Sequence, residues 1–239
     1  MSVAAITRIR PPWMIRTRSM SFVALVVAFI VFSVIVGSGI IFSADNSASR
    51  FFKSIQGNPR IDGVMIVVTS SGDVTTLFFF GVIITIIRRT RKVGMVFLIA
   101  LIVLVVGVMY IKPLIGRPMP SYGFEPSFPL PNNFNLESDS LEPIAASLSY
   151  PSAHVSIATA LAFIIGYALY QRSKIAGYSI WAFPVIMGVT RLYVMQHYPT
   201  DIIGGFLFGT IVSVVLSNAM RLEQPFLMSR FKSKEEETS

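Results

Sequence analysis

The chain has 239 residues, 53% of them hydrophobic and 13% charged, with a formal net charge of +8 and no cysteine, which excludes disulfides, thiolate metal sites and a Cys nucleophile. Apolar runs of about 20 residues recur along it, the length that crosses a ~30 Å hydrocarbon core, so a soluble domain is excluded, as is a β-barrel of ~10-residue alternating segments. In such a chain the positive charge sets membrane orientation rather than recruiting nucleic acid.

The expected fold is all-α, a polytopic membrane protein with a six-transmembrane-helix bundle. Residues 1–19 carry Arg8, Arg10, Arg16 and Arg18 with no acid and read as a cytoplasmic arm with Trp13 near the interface. The first span covers 20–43; it is long, no small-residue cleavage site follows it, and it reads as a retained anchor. Residues 44–60 are polar, and Phe51-Phe52 place part of them on the bilayer surface. The second span, 64–87, contains Asp73, an acid that either supports a site or makes a hydrogen bond between helices. The basic cluster Arg88-Arg89-Thr90-Arg91-Lys92 precedes the third span, 93–111.

Residues 112–150 form a long loop rich in Pro, Asn and Ser, with Glu125, Glu137, Asp139 and Glu142. Loops of this length are functional or unstructured. The remaining spans cover 151–170, 175–193 and 199–219, and the tail 221–239 is basic before Glu235-Glu236-Glu237. Six spans put both termini on one side, together with the 88–92 cluster, Arg172 and Lys174, so that side is cytoplasmic and the domain 20–220 turns its 112–150 loop outward. No repeat of 20–50 residues is present.

The chain has two histidines, each beside a proline at the mouth of a span. Tyr150-Pro151-Ser152-Ala153-His154 opens the fourth span, and Pro suits the first helical position because its missing N–H would have no partner there. On that reading the N–H groups of Ser152, Ala153 and His154 point outward as an anion nest, reinforced by the helix dipole. Arg191, His197 and Asp201 lie within eleven residues before and inside the sixth span, with Pro199 at its start. His197 and Asp201 are four apart, close enough for a hydrogen bond that would orient the imidazole and leave one ring nitrogen free to attack. The plainer reading is that the pair caps the sixth span. Lys112 and Arg117 follow the third span on the same face; alone they read as headgroup anchors, and with the histidines they describe a phosphate pocket.

These residues resemble the type 2 phosphatidic acid phosphatase superfamily, whose motifs are K-x6-R-P, P-S-G-H and S-R-x5-H-x3-D. Pro151-Ser152-Ala153-His154 matches the second with Ala for Gly, and Thr190-Arg191-x5-His197-x3-Asp201 matches the third with Thr for Ser. In the first, Lys112 is in place but Met119 stands where the family has Arg; Gly116 and Arg117 fit the related form K-x3-G-R-x-R-P, making Arg117 the expected substitute. The resemblance implies that His197 attacks phosphorus, Asp201 orients it and His154 protonates the leaving oxygen. It further implies that Lys112, Arg117, Ser152, Ala153 and Arg191 hold the phosphoryl oxygens, with no metal and no cofactor. The expected substrate is a polyprenyl pyrophosphate, phosphatidate or phosphatidylglycerophosphate, and the expected partners are that lipid and the membrane, with no nucleic acid. A phosphotransferase on the same scaffold and an anion transporter are the alternatives; a transporter expects polar residues through successive spans, which this chain lacks.

Overall fold

The computed structural model describes residues 9–130 and 147–224. Among these, everything regular is helical apart from one isolated bridge between Pro118 and Leu148. The helices are α1 (Met20–Gly37), α2 (Phe42–Ser54), α3 (Pro59–Ser71), α4 (Val74–Ile86), α5 (Arg91–Ile115), α6 (Ala153–Tyr170), α7 (Lys174–Ser179), α8 (Ala182–Tyr193) and α9 (Pro199–Ala219). Five stretches are long and apolar enough to cross a membrane, the α7–α8 stretch counting as one, and the bent pair α3–α4 makes a sixth.

The first three spans differ from the expectation. The first span stops at Gly37, and the polar stretch after it folds as α2, whose Asp45 and Ser49 are buried while Phe51 is exposed. The second span is not continuous, because α3 and α4 meet at 51° across Gly72-Asp73. The Asp73 carboxylate accepts the Thr75 N–H at 3.1 Å and caps α4, which favours a new helix start over continuation. The third span runs on through Lys112 to Ile115 and ends at Gly116, whose φ of +65° and N–H to the Lys112 carbonyl form a left-handed cap. Lys112 therefore belongs to the last turn of α5, not to the loop expected over 112–150.

α6 is the central helix, buried from Ala153 to Tyr167, with α5, α7, α8 and α9 packed around it. The outward-facing α1 is the more uniformly apolar, whereas α6 is rich in Ala, with Ser156, Thr159 and Gly166 among its other small residues. Lipid accepts large apolar side chains, while close helix packing needs small ones. α9 meets α6 through such a face. A Cβ on Gly205 would lie 2.6 Å from the Ser152 carbonyl oxygen, and one on Gly209 would lie 2.4 Å from that of Ser156. The buried hydroxyls along this seam bond to their own helices, Ser156 to Ser152 O at 2.7 Å and Ser213 to Gly209 O at 2.6 Å, so neither is stranded.

Trp13, expected at the interface, packs edge-on against Tyr170, Tyr178 and Trp181 and donates its indole N–H to the Phe163 carbonyl. The segment after α9 is also fixed. Lys92 donates to the carbonyls of Arg221 and Gln224, and Leu222 is buried.

The α6–α9 seam gives a first prediction. Gly205→Ala pushes a methyl into a backbone oxygen that has no rotamer by which to yield, so it should destabilise the bundle by about 1–3 kcal/mol. Gly63→Ala, where a Cβ meets nothing within 4 Å, serves as the control. Thermal unfolding in detergent checks this; equal midpoints for the two variants would contradict the packing argument.

Candidate active site

Three stretches converge at one end of the bundle: the end of α5 with 117–119, residues 147–154 leading into α6, and residues 191–201 joining α8 to α9. The first two are paired. Met119 N–H donates to the Ser147 carbonyl at 3.2 Å, and Ser149 N–H donates to the Arg117 carbonyl at 2.8 Å.

The spacing of the third stretch follows from its turn. α8 ends with Gln196 N–H on the Arg191 carbonyl and Met195 N–H on the Leu192 carbonyl, the paired bonds of a Schellman motif. Met195 takes the left-handed position at φ 58°, which glycine usually fills. Arg191 is thereby left on the last turn of α8. The chain reverses, His197 follows, and Pro199 opens α9 as expected from sequence, with Asp201 as its third residue. The Asp201 carboxylate reaches back to accept the Tyr198 N–H at 2.7 Å. Asp201 thus caps α9, a role that the plainer reading gave to the His197–Asp201 pair.

His197 is buried, and its Nδ1 lies 2.8 Å from the Ser149 carbonyl oxygen. A carbonyl can only accept, so Nδ1 carries the proton and Nε2 carries the lone pair. Nε2 is buried and has no hydrogen-bond partner among the described residues. The expected hydrogen bond to Asp201 is replaced by this one, with the nearer carboxylate oxygen at 3.7 Å from Nδ1. Asp201 acts on the ring through its field. Burial lowers the His197 pKa to about 4, the Asp201 carboxylate opposing that shift and the nearby Arg191 and Lys112 adding to it. With its basicity lowered in this way, the imidazole is neutral across the physiological range.

His154 is the second residue of α6 and is buried. Pro151 does not open the helix. Ser152 is the cap, its hydroxyl facing Val155 N–H at 3.5 Å, and α6 begins at Ala153. The Ser152 N–H, expected to face an anion, instead donates to the main-chain carbonyl of Asp201 at 3.1 Å, which ties the start of α6 to the start of α9. As first residue of α6, Ala153 has an N–H without an intrahelical acceptor. Lys112 and Arg191 are each 1% exposed, and Arg191 Nη1 lies 3.4 Å from Thr69 Oγ1 at the end of α3. Thr190, in place of the family Ser, turns its hydroxyl back to the Met187 carbonyl.

Arg117 departs furthest from expectation. It is buried between two carboxylates: Nη1 donates to Asp201 at 2.9 Å and to Thr200, and Nη2 donates to Asp45. The guanidinium also stacks over the Tyr198 ring, 4.2 Å from its centroid. Two acids already neutralise it, so the missing cation at Met119 is not replaced by a free one at Arg117. Sequence reasoning did not single out Asp45, Thr69, Ser149, Tyr198 or Thr200. The signal for Asp45 was an acid just inside a mostly apolar boundary; Ser149 acts through its backbone, which no side-chain pattern reports.

Two buried histidines and three buried cations thus gather at one end of a multi-pass helical bundle, beside the starts of α6 and α9. A family model described as the PAP2 superfamily matches residues 91–224, more than half of the chain, and the chain belongs to that family. It is 30% identical over 87 residues to undecaprenyl-diphosphatase BcrC of Bacillus subtilis, a match covering 36% of this chain and 43% of BcrC. The chain thus matches less than half the length of that relative. An undecaprenyl-diphosphatase of Sulfolobus acidocaldarius is 26% identical over 170 residues, 69% of this chain and 74% of the relative. The crystal structure of a transmembrane PAP2-type phosphatidylglycerolphosphate phosphatase from Bacillus subtilis shares the fold, with a TM-score of 0.70 and 22% identity over 87% of this chain and all of that one. The relatives are phosphatases by name, and the chain shares their family and the helical fold.

The depressed basicity of His197 is directly measurable. In ¹⁵N-histidine-labelled protein, with His154→Ala used for assignment, the His197 ring should stay neutral and Nδ1-protonated down to about pH 5, and take up a proton only near pH 4. Titration at the ordinary value of about 6.5 would contradict a buried, desolvated ring.

Proposed function

We propose that the chain hydrolyses a polyprenyl diphosphate through a phosphohistidine on His197. The observation that carries this reading is the His197 imidazole itself. It is fully buried, held by Nδ1, with an unpartnered Nε2 among the described residues and with Arg191 and Lys112 close enough to depress its basicity. The names of the two relatives support the choice of lipid, the Sulfolobus match extending over most of both chains.

In the first step the Nε2 lone pair attacks the terminal phosphorus, and the bond to the bridging oxygen breaks. His154 donates a proton to that oxygen, and the polyprenyl phosphate leaves. In the second step His154 takes a proton from water, the water oxygen attacks the same phosphorus, and the P–N bond breaks to release inorganic phosphate. Lys112, Arg191 and the Ala153 N–H neutralise the charge that builds on the phosphoryl oxygens. These cations do the electrostatic work usually given to a metal ion, so the reaction is read as metal-independent.

The same reading places the site on the outer face of the cell membrane. Arg88, Arg89, Arg91, Lys92, Arg172, Lys174 and Arg221 all lie at the helix ends opposite His197, and such clusters remain in the cytoplasm. Both termini then lie inside.

His197→Ala should lower phosphate release by on the order of 10³-fold or more and abolish an acid-labile phosphoenzyme. EDTA should leave wild-type activity unchanged, and a panel of polyprenyl diphosphate, phosphatidate and phosphatidylglycerophosphate should rank the first highest. Near-normal turnover by His197→Ala would sink the mechanism. Transfer of phosphate to an added alcohol in place of release would indicate a phosphotransferase.

Topology is tested separately in this cysteine-free chain. A cysteine at the exposed Ser121 should react with an impermeant thiol reagent in intact cells, and one at the exposed Arg89 should react only after permeabilisation. The reverse pattern would invert the orientation.

A further inference from the structure

We infer that Asp45, on α2, is a positioning residue for the His197 site. The inference rests on the reading of His197 as nucleophile. Asp45 is 2% exposed and lies more than 150 residues from Asp201 in sequence. One of its carboxylate oxygens accepts from Arg117 Nη2 and from the Thr200 hydroxyl, and the other faces the Thr200 N–H at 3.3 Å. Every one of these partners leads to His197.

Thr200 precedes Asp201 in the first turn of α9, so Asp45 fixes the turn that carries the Asp201 carboxylate. Arg117 does two things at once. Its side chain holds Asp201 Oδ1 at 2.9 Å, and its backbone carbonyl accepts the Ser149 N–H at 2.8 Å. Ser149 in turn supplies the carbonyl that accepts the Nδ1 proton of His197. Both acceptors that face Nδ1, one by contact and one by field, therefore depend on where Arg117 sits.

A guanidinium between two carboxylates is balanced. With one carboxylate removed, its charge-assisted bonds fall on the other alone. Arg117 would then draw Asp201 toward itself, off Tyr198 and away from the imidazole. Asp45 keeps the guanidinium in place and acts on His197 through Arg117 and Thr200.

The test is Asp45→Asn, assayed on a soluble phosphate ester beside wild type and His197→Ala. The expected result is a ten- to hundredfold loss of kcat, with KM and the inhibition constant of inorganic phosphate changed less than threefold. The ¹⁵N spectrum of His197 should show loss of the pure Nδ1–H tautomer. If Asp45→Asn does not fold, Thr200→Val carries the test, with a several-fold kcat loss expected and Thr200→Ser restoring it. Wild-type kcat in the variant that folds would overturn the inference. So would a loss accompanied by an unchanged His197 tautomer, which would make Asp45 an anchor for α2 alone. Activity in His197→Ala would instead overturn the functional reading on which the inference stands.

Discussion

The close approach of α6 and α9 is the constraint on which the rest depends. Gly205 and Gly209 let the two backbones come near enough that a methyl group would strike the carbonyl oxygens of Ser152 and Ser156. At that distance Ser152 N–H reaches the Asp201 carbonyl, and the two helix starts become one unit. His154 lies at the start of the first helix and His197 just ahead of the second. In a bilayer, apolar burial gives helices little reason to associate, so packing and short polar bonds must do it. Small residues on the most buried helix and large apolar ones on the most exposed helix are the same rule seen from two sides.

Electrostatics divides the charged side chains of this end into two groups. Arg117 is enclosed with Asp45 and Asp201, and this cluster carries an excess negative charge. Lys112 and Arg191 are buried nearby and depress the basicity of His197. Burial and these cations keep the imidazole neutral, with its lone pair, while Asp201 partly offsets the depression and lies where it would stabilise charge arising on the ring. Burying a charge is costly unless it is paired, and each carboxylate here has several donors. The cost is met by bonds between segments distant in sequence, which is why α2, the end of α5 and the start of α9 are held in register.

Much of this was legible in the sequence, and the limits have physical causes. Span positions follow from apolar length, so the last three spans, whose ends carry Pro, Ser or Arg, matched closely. The bend at Gly72-Asp73 and the extension of α5 through Pro113 were not seen, since hydropathy averages over single residues. His154, Arg191, His197 and Lys112 are brought to one end of the bundle, as their motif order implied. The orientation of His197 by a backbone carbonyl could not be read, because a carbonyl has no letter of its own. The enclosure of Arg117 by Asp45 could not be read either, since it pairs residues 72 apart across a turn whose geometry the pattern leaves open.

That enclosure changes how the departure at position 119 is understood. Sequence alone poses it as a question of which neighbouring cation replaces the family Arg. Arg117 is already committed elsewhere: its Nη atoms are directed at Asp45, Thr200 and Asp201, and its face lies against Tyr198. Met119 is held by its backbone N–H on Ser147 and is half-buried beside the paired segment. On the proposed reading, the cations that meet a phosphoryl group are Lys112 and Arg191, assisted by the amide of Ala153. A site with that complement offers fewer fixed charges to a ground-state phosphate. It depends correspondingly more on the geometry of its nucleophile, and the bonds that set that geometry run through Ser149, Arg117 and Asp45.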